Sequence, residues 1–185
     1  GLPYILRPFI GKNQYAYQFL QQDETTDYKT RTGWLPGLER YKKVVILINQ
    51  NSQSSAEVMA SVLKKYNVGV LVGTTTKGWG TVEKVIPLEN QLSDNEKFSV
   101  FLVHHLTLRA DGNPIEGNGV NPMISINQPG WQQQLLKHFD NQTLVKEVEQ
   151  LVETEINQNN QNNLNQDTGL APQPKTIGPD PNPAL

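Results

Sequence analysis

The chain has 185 residues, of which 36% are hydrophobic, enough for one domain with a proper core and too few for two comfortable ones. A formal net charge of -2 and a pI near 5.9 give no electrostatic case for nucleic acid or an anionic membrane. The absence of cysteine excludes disulfides, zinc-thiolate sites and cysteine nucleophiles.

The chain opens on Gly1 and shows neither a basic-then-apolar signal nor an apolar run approaching a membrane span, so it reads as a piece of a longer protein. Pro3 to Ile10 reads as a short helix, with proline acceptable in its first turn and Pro8 limiting its length. Tyr15 to Leu20 alternates Tyr15, Tyr17 and Phe19 with Ala16 and Gln18, the pattern of a half-buried strand. Asp23 to Asp27 reads as a polar turn, after which Tyr28 to Thr32 pairs back as a hairpin. Trp34, Leu35 and Pro36 are candidates for core packing or for the wall of a groove.

Val44 to Ile48 is an unbroken aliphatic run, expected to be a strand buried on both faces. The polar turn from Asn49 to Ser54 leads into Met59, Val62, Leu63 and Tyr66, whose spacing lays one side of a helix on a sheet. Val68 to Val72 returns as a second buried strand, so a right-handed crossover between parallel strands in an α/β fold is the simplest topology. Ser54 falls at the helix start, where the helix dipole favours an alkoxide or an oxyanion. The same serine opens Ser54-Ser55-Ala56-Glu57, an S-x-x-E capping box, and spacing alone favours that structural role.

Downstream, Val82 to Leu88 and Phe98 to Leu108 read as strands separated by the polar stretch Glu89 to Lys97. His104 and His105 lie in the second, where adjacent side chains are expected on opposite faces, so at most one would look toward Ser54. A Ser-His pair completed by Asp111 is conceivable, but no spacing supports it. Asp111-Gly112-Asn113-Pro114 is a turn by composition, and Glu116 to Asn121 a glycine-bearing loop. Trp131 to Phe139 and Thr143 to Ile156 read as helices, the latter with a packing stripe of Leu144, Val148, Leu151 and Val152. One core domain over 1–156 is therefore expected, followed by a disordered Asn/Gln/Pro-rich tail over 157–185.

Three separated blocks, in order, carry a resemblance. INQNSQSSAEVMASVLKKYNVGVLVGTTTKGWGTVEKVIPL is similar to the core of the C-terminal processing (tail-specific) serine peptidases, whose pattern runs VNEGSASASEI, an amphipathic helix, then LVGERTFGKGSVQTVIPL. LTLRADGNPIEGNGVNPMISI, from Leu106 to Ile126, resembles their YYTPSGRSIQGKGIEPDIEV, and NQTLVKEVEQLVE resembles their closing DPQLEKALELL. The resemblance implies a crotonase/Clp-protease-like α/β core with added hairpin strands, a peptide or unfolded protein segment as partner, no cofactor and no metal. It also implies a bacterial exported or cell-envelope setting, and a PDZ-type domain with a glycine pair upstream. Gly1-Leu2-Pro3 is similar to the end of that glycine motif, whose N-H contributes to the family's oxyanion hole.

Carried over position by position, the resemblance puts the family nucleophile on Ser54, with the oxyanion held by N-H groups at Ser54, at Ser55 and at a glycine such as Gly1. The family lysine falls on Trp79 and the glutamine that orients it on Glu83. A serine is a weak nucleophile until a base takes its proton, and an indole N-H accepts none. Lys77, two positions earlier in the same glycine turn, is the substitute candidate; an extended segment would point Lys77 and Trp79 the same way. Two functions stay open: a non-catalytic scaffold that binds peptide by strand addition, which loss of the base favours, or a serine endopeptidase using Ser54 and Lys77.

Overall fold

The computed structural model describes residues 1–11, 13–30, 44–90, 95, 97–109 and 111–167, with side chains described up to 161. The chain divides into two compact units, Gly1–Asn141 and Gln142–Leu185.

The first unit opens on helix α1 (Leu2–Ile10), which buries Leu6 completely and ends at Gly11, whose φ of 85° suits glycine. Strands β1 (Tyr15–Gln21) and β2 (Glu24–Lys29) follow as an antiparallel hairpin. Their turn is shorter than the expected Asp23 to Asp27. Gln22 and Asp23 both take positive φ (47° and 68°), the geometry of a two-residue hairpin loop, so pairing begins at Glu24. A bulge between Tyr15 and Tyr17 breaks the expected alternation and buries Ala16. Arg31, Thr32, Trp34, Leu35 and Pro36 lie outside the described residues.

Strand β3 (Val45–Ile48), helix α2 (Ser55–Lys65) and strand β4 (Val70–Gly73) form the central unit, and β3 pairs parallel to β4 from Val45↔Val70 to Ile48↔Gly73, as the pattern predicts. Burial differs from the expectation. β4 is buried throughout, whereas Leu47 of β3 is 42% exposed. The strand order β3-β4-β7, with β7 at Ile124–Ser125, explains this, because among the described residues β3 lies at the edge. Helix α2 turns Val58, Val62 and Leu63 toward Leu6, Ala16, Tyr17 and Ile115, while Ala60 packs with Ile48, Leu71 and Val120. Two faces of one helix thus join the two sheets.

Strands β5 (Thr81–Pro87) and β6 (Ser99–Leu108) complete an antiparallel sheet of order β2-β1-β6-β5. β1 meets β6 only from Leu20↔Leu106 to Gln18↔Leu108, so the rest of the β5–β6 hairpin runs on as a two-stranded ribbon. The fold is mixed α/β, with one parallel and one antiparallel sheet among the described residues. Helix α3 (Trp131–Phe139) closes the first unit, burying Trp131, Leu135 and Phe139.

The second unit's helix, α4, runs from Gln142 to Asp167, past the expected end at Ile156 and through a stretch read from composition as disordered. Once the amphipathic half is wound, each further Asn or Gln adds a hydrogen bond without a new nucleus. The boundary expected near 156 therefore lies inside a helix, and 168–185 lie outside the described residues. Of the expected packing stripe, Leu151 is exposed. No described helix is long and apolar enough to cross a membrane.

Candidate active site

After β3 the chain turns tightly. The Asn49 side-chain oxygen accepts the N-H groups of Asn51 (2.8 Å) and Ser52 (3.1 Å), and the strand is converted to helix within a few residues. Ser54 sits at the N-cap of α2 with φ 55° and ψ -124°. An ordinary N-cap residue has extended backbone, so this serine is held in a conformation that costs on the order of 1–3 kcal/mol. A sharp, strained strand-to-helix turn is also how hydrolases lift a serine hydroxyl clear of the backbone. Ser54→Gly is expected to raise the thermal midpoint by about 2–4 °C, because glycine takes this conformation without strain. A melt followed by circular dichroism checks this, and an unchanged or lower midpoint would show that the turn is not strained.

Glu57 holds the turn, and it does more than cap a helix. Its carboxylate is completely buried and accepts four hydrogen bonds. Oε2 accepts Ser54 N-H at 3.0 Å and Trp79 N-H at 2.8 Å; Oε1 accepts Gly78 N-H at 2.7 Å and the Thr76 hydroxyl. One buried anion therefore ties the glycine turn of Thr76 to Trp79 to the mouth of α2. Thr76 in turn accepts Val120 N-H at 2.7 Å, and Glu116 accepts Gly80 N-H at 2.7 Å, which fastens the second glycine loop to the first. Sequence reading found Glu57 only as half of a capping box and did not single out Thr76 or Glu116. Their spacing along the chain carries no trace of this convergence.

The expected oxyanion donors are rearranged. Ser54 N-H is engaged by Glu57, so it is not available as a donor. Ala56 N-H goes to Gln53 O, and Glu57 and Val58 N-H go to Ser54 O, which leaves the N-H of Ser55 as the open donor at the start of α2 among the described residues. Ser54 and Ser55 line a cavity of about 210 Å³ together with Leu2, Tyr17, Phe19, Val58, Trp79, Thr81, Val82, Glu83 and Thr107. Gly1 is not among the lining residues, although its neighbour Leu2 is. The apolar wall from α1 and β1 is a feature that sequence reading missed.

The cavity brings Ser54, Ser55, Trp79 and Glu83 together and leaves Lys77 out. Lys77 is exposed; its ammonium donates to Gln53 Oε1 at 2.9 Å and lies 4.9 Å above the Trp79 ring. The two side chains do meet, but Gly78 between them has a φ of 81°, so the segment is not extended as expected, and the cation faces solvent and stacks on the indole. Trp79 Nε1 donates to Thr81 Oγ1 at 2.8 Å and Glu83 Oε1 at 3.1 Å. Hydrogen bonds from Thr81 and Trp79 hold the Glu83 carboxyl below its ordinary pKa, which makes it a weak proton acceptor at neutral pH. Among the described residues no side chain is hydrogen-bonded to the Ser54 hydroxyl.

The histidines form a separate cluster. Val82 pairs with His105 and Glu83 with Val103, so β6 carries an extra residue at His104. That bulge brings both rings to one side, with Nδ1 atoms 2.8 Å apart, correcting the expectation that adjacent residues diverge. Burial and the neighbouring His104 push the His105 pKa down, and its ring stacks 5.5 Å from Phe19. Both histidines line another cavity, with Leu20 and Asp23, while Asp111 pairs with Arg109 at 3.2 Å. The three do not converge on Ser54.

The sequence model of peptidase family S41 matches residues 4–126. Carboxy-terminal processing protease CtpB of Bacillus subtilis (strain 168) is 30% identical over 127 residues, covering 69% of this chain and 25% of that protein. A probable CtpA-like serine protease of Staphylococcus epidermidis is 30% identical over 124 residues, covering 67% of this chain and 24% of that one. The chain thus spans about a quarter of the length of these relatives. The solved structure of a lipoprotein from Streptococcus agalactiae superimposes with a TM-score of 0.50 at 15% identity over 72% of this chain and 48% of that one, a likeness of fold.

Proposed function

Because the chain belongs to peptidase family S41, we propose that it is a peptidase-like domain that binds extended peptide segments beside Ser54 and is impaired in cleaving them. In this reading Ser54 holds the nucleophile position, Trp79 that of the lysine and Glu83 that of the glutamine. The parallel β3-β4-β7 sheet with α2 serves as a crotonase/Clp-protease-like core. The relatives named above are bacterial, and the proposal sets the protein in or beyond a bacterial cell envelope.

One observation carries the proposal. Where proton abstraction from Ser54 requires an amine, an indole N-H is bonded to Thr81 and Glu83, and an indole cannot take a proton. Peptide binding is supported by β5, which has β6 on one side and no strand on the other among the described residues, and whose first residues line the Ser54 cavity. An extended peptide added along that edge would bring a carbonyl to the open N-H of Ser55.

The intact protein is expected to bind unstructured peptides with a change in Trp79 fluorescence, absent in Trp79→Phe, and to cleave them no faster than its Ser54→Ala variant. Trp79→Lys is expected to raise cleavage by at least about a hundredfold, a gain that Ser54→Ala abolishes. Ser54-dependent cleavage by the unaltered protein would overturn the reading in favour of an active endopeptidase. A folded but inert Trp79→Lys would show that the missing amine is not what limits hydrolysis.

A further inference from the structure

We propose that the β5–β6 ribbon is the outer half of the peptide-binding surface and selects extended segments with apolar residues at consecutive positions, as the buried strands of an unfolded protein have. The inference rests on the reading of the Ser54 cavity given above.

The ribbon lies beyond the last β1 partner of β6, and it carries Val85, Ile86, Val100, Phe101, Leu102 and Val103, each between 39% and 67% exposed. Soluble proteins rarely leave so much contiguous apolar surface open without a partner. Opposed residues of an antiparallel pair share a face, so the Val85↔Phe101 and Glu83↔Val103 pairs make one face and Ile86↔Val100 and Lys84↔Leu102 the other. Each face therefore carries a cluster of apolar side chains, bordered by Glu83 on one and Lys84 on the other. A strand added to the edge of β5 that is open among the described residues projects its side chains alternately to the two faces, and those beside Val85 and Ile86 would meet apolar neighbours.

Continuity with the cavity identifies the occupant. The strand that lines the cavity with Thr81, Val82 and Glu83 is the same strand that continues through Val85 and Ile86. Seven residues of strand span about 24 Å, so one peptide of similar length would cover both regions. Two other occupants fit less well. In the two-fold register that overlaps all of β5 with a second copy, Lys84 falls opposite itself, a like-charge pair of the kind that keeps edges apart. A lipid surface is disfavoured because the segment joining the two strands holds Glu89, Asp94 and Glu96 against Lys97.

The test uses three fluorescein-labelled peptides on the whole chain: a tripeptide, a nine-residue peptide with an uninterrupted Val/Ile/Phe centre, and its Ser/Thr counterpart. Binding is read by anisotropy for the unaltered protein and for V85T/F101T, whose β-branched replacements keep strand propensity at exposed positions. The apolar nonapeptide is expected to bind V85T/F101T at least about tenfold more weakly than the unaltered protein, while the tripeptide binds both alike and the polar nonapeptide gains nothing from the ribbon. Hydrogen exchange of the unaltered protein gives a reading independent of the variant: protection should appear at alternate β5 amides through Ile86. If the tripeptide binds but the nonapeptide is indifferent to the substitutions, the ribbon inference alone is overturned. If none of the peptides binds, the cavity reading falls and takes the inference with it. Light scattering that shows a dimer lost in V85T/F101T, with peptide affinity unchanged, would identify a second copy as the occupant and overturn the proposal.

Discussion

Glu57→Ala is expected to destabilise the first unit by about 4 kcal/mol, the largest effect of any side-chain truncation near the cavity. The substitution removes an acceptor that serves four donors at once: the N-H groups of Ser54, Gly78 and Trp79 and the hydroxyl of Thr76. Each buried donor left without a partner costs about 1–3 kcal/mol, and relaxation of the turn and solvent access to the part-buried N-H groups recover part of the sum. The loss would also release the Ser54 backbone, because the strained turn persists only while its surroundings over-determine it. Glu57→Gln should fall in between, since its carbonyl replaces one oxygen while its NH₂ faces at least one N-H donor whichever way the amide is turned. Urea denaturation of the three proteins gives the ranking. An alanine variant within about 1 kcal/mol of the unaltered protein would show that Glu57 is not the tie between helix and turn.

Gly73→Ala is expected to abolish folding of the first unit. Gly73 ends β4 at φ 140°, and a Cβ there would sit 1.8 Å from the carbonyl oxygen of Ile48. That oxygen also accepts Thr74 N-H at 3.0 Å, so neither strand can move aside without breaking the parallel ladder. The clash and the forbidden backbone add, and the protein should be recovered only as aggregate or as a chain without a cooperative transition. Gly112→Ala separates the two causes. It shares a positive φ of 78° but meets nothing within 4 Å, so it should fold and lose only about 1 kcal/mol. Soluble expression and circular dichroism of the two variants test the contrast.

These substitutions bear on function as well as stability. Glu57 bonds the main chain of both Ser54 and Trp79, so the same carboxylate fixes the backbone of position 79 relative to that of the serine. The gain of hydrolysis expected from Trp79→Lys therefore depends on Glu57, and Trp79→Lys combined with Glu57→Gln should lose most of it. The bond from Trp79 to Glu83 has a similar meaning: position 83 steadies the side chain at position 79.

Much of this was legible along the chain, for a physical reason. The run from Val44 to Gly73 writes its strand-helix-strand order in local terms, because aliphatic runs, helical spacing and a polar turn need only near neighbours to act. Parallel pairing follows from the connection between its strands, and the place of Ser54 at the helix mouth from the same spacing. The indole at position 79 is likewise a matter of residue identity, readable from the sequence alone.

Only the folded molecule decided the rest, because it turns on contacts between residues far apart in the chain. That β3 lies at the edge among the described residues, and exposes Leu47, depends on where β7 pairs. The joining of His104 and His105 on one side depends on a bulge against β5, and the strain at Ser54 on a carboxylate that also grips Gly78 and Trp79. Whether Lys77 reaches the serine was likewise a question of packing, and Gln53 together with the Trp79 ring holds it outside the cavity. Residue spacing carries what neighbours impose on one another; a site assembled from α1, β1, α2 and β5 exists only once loop closure has brought those segments together.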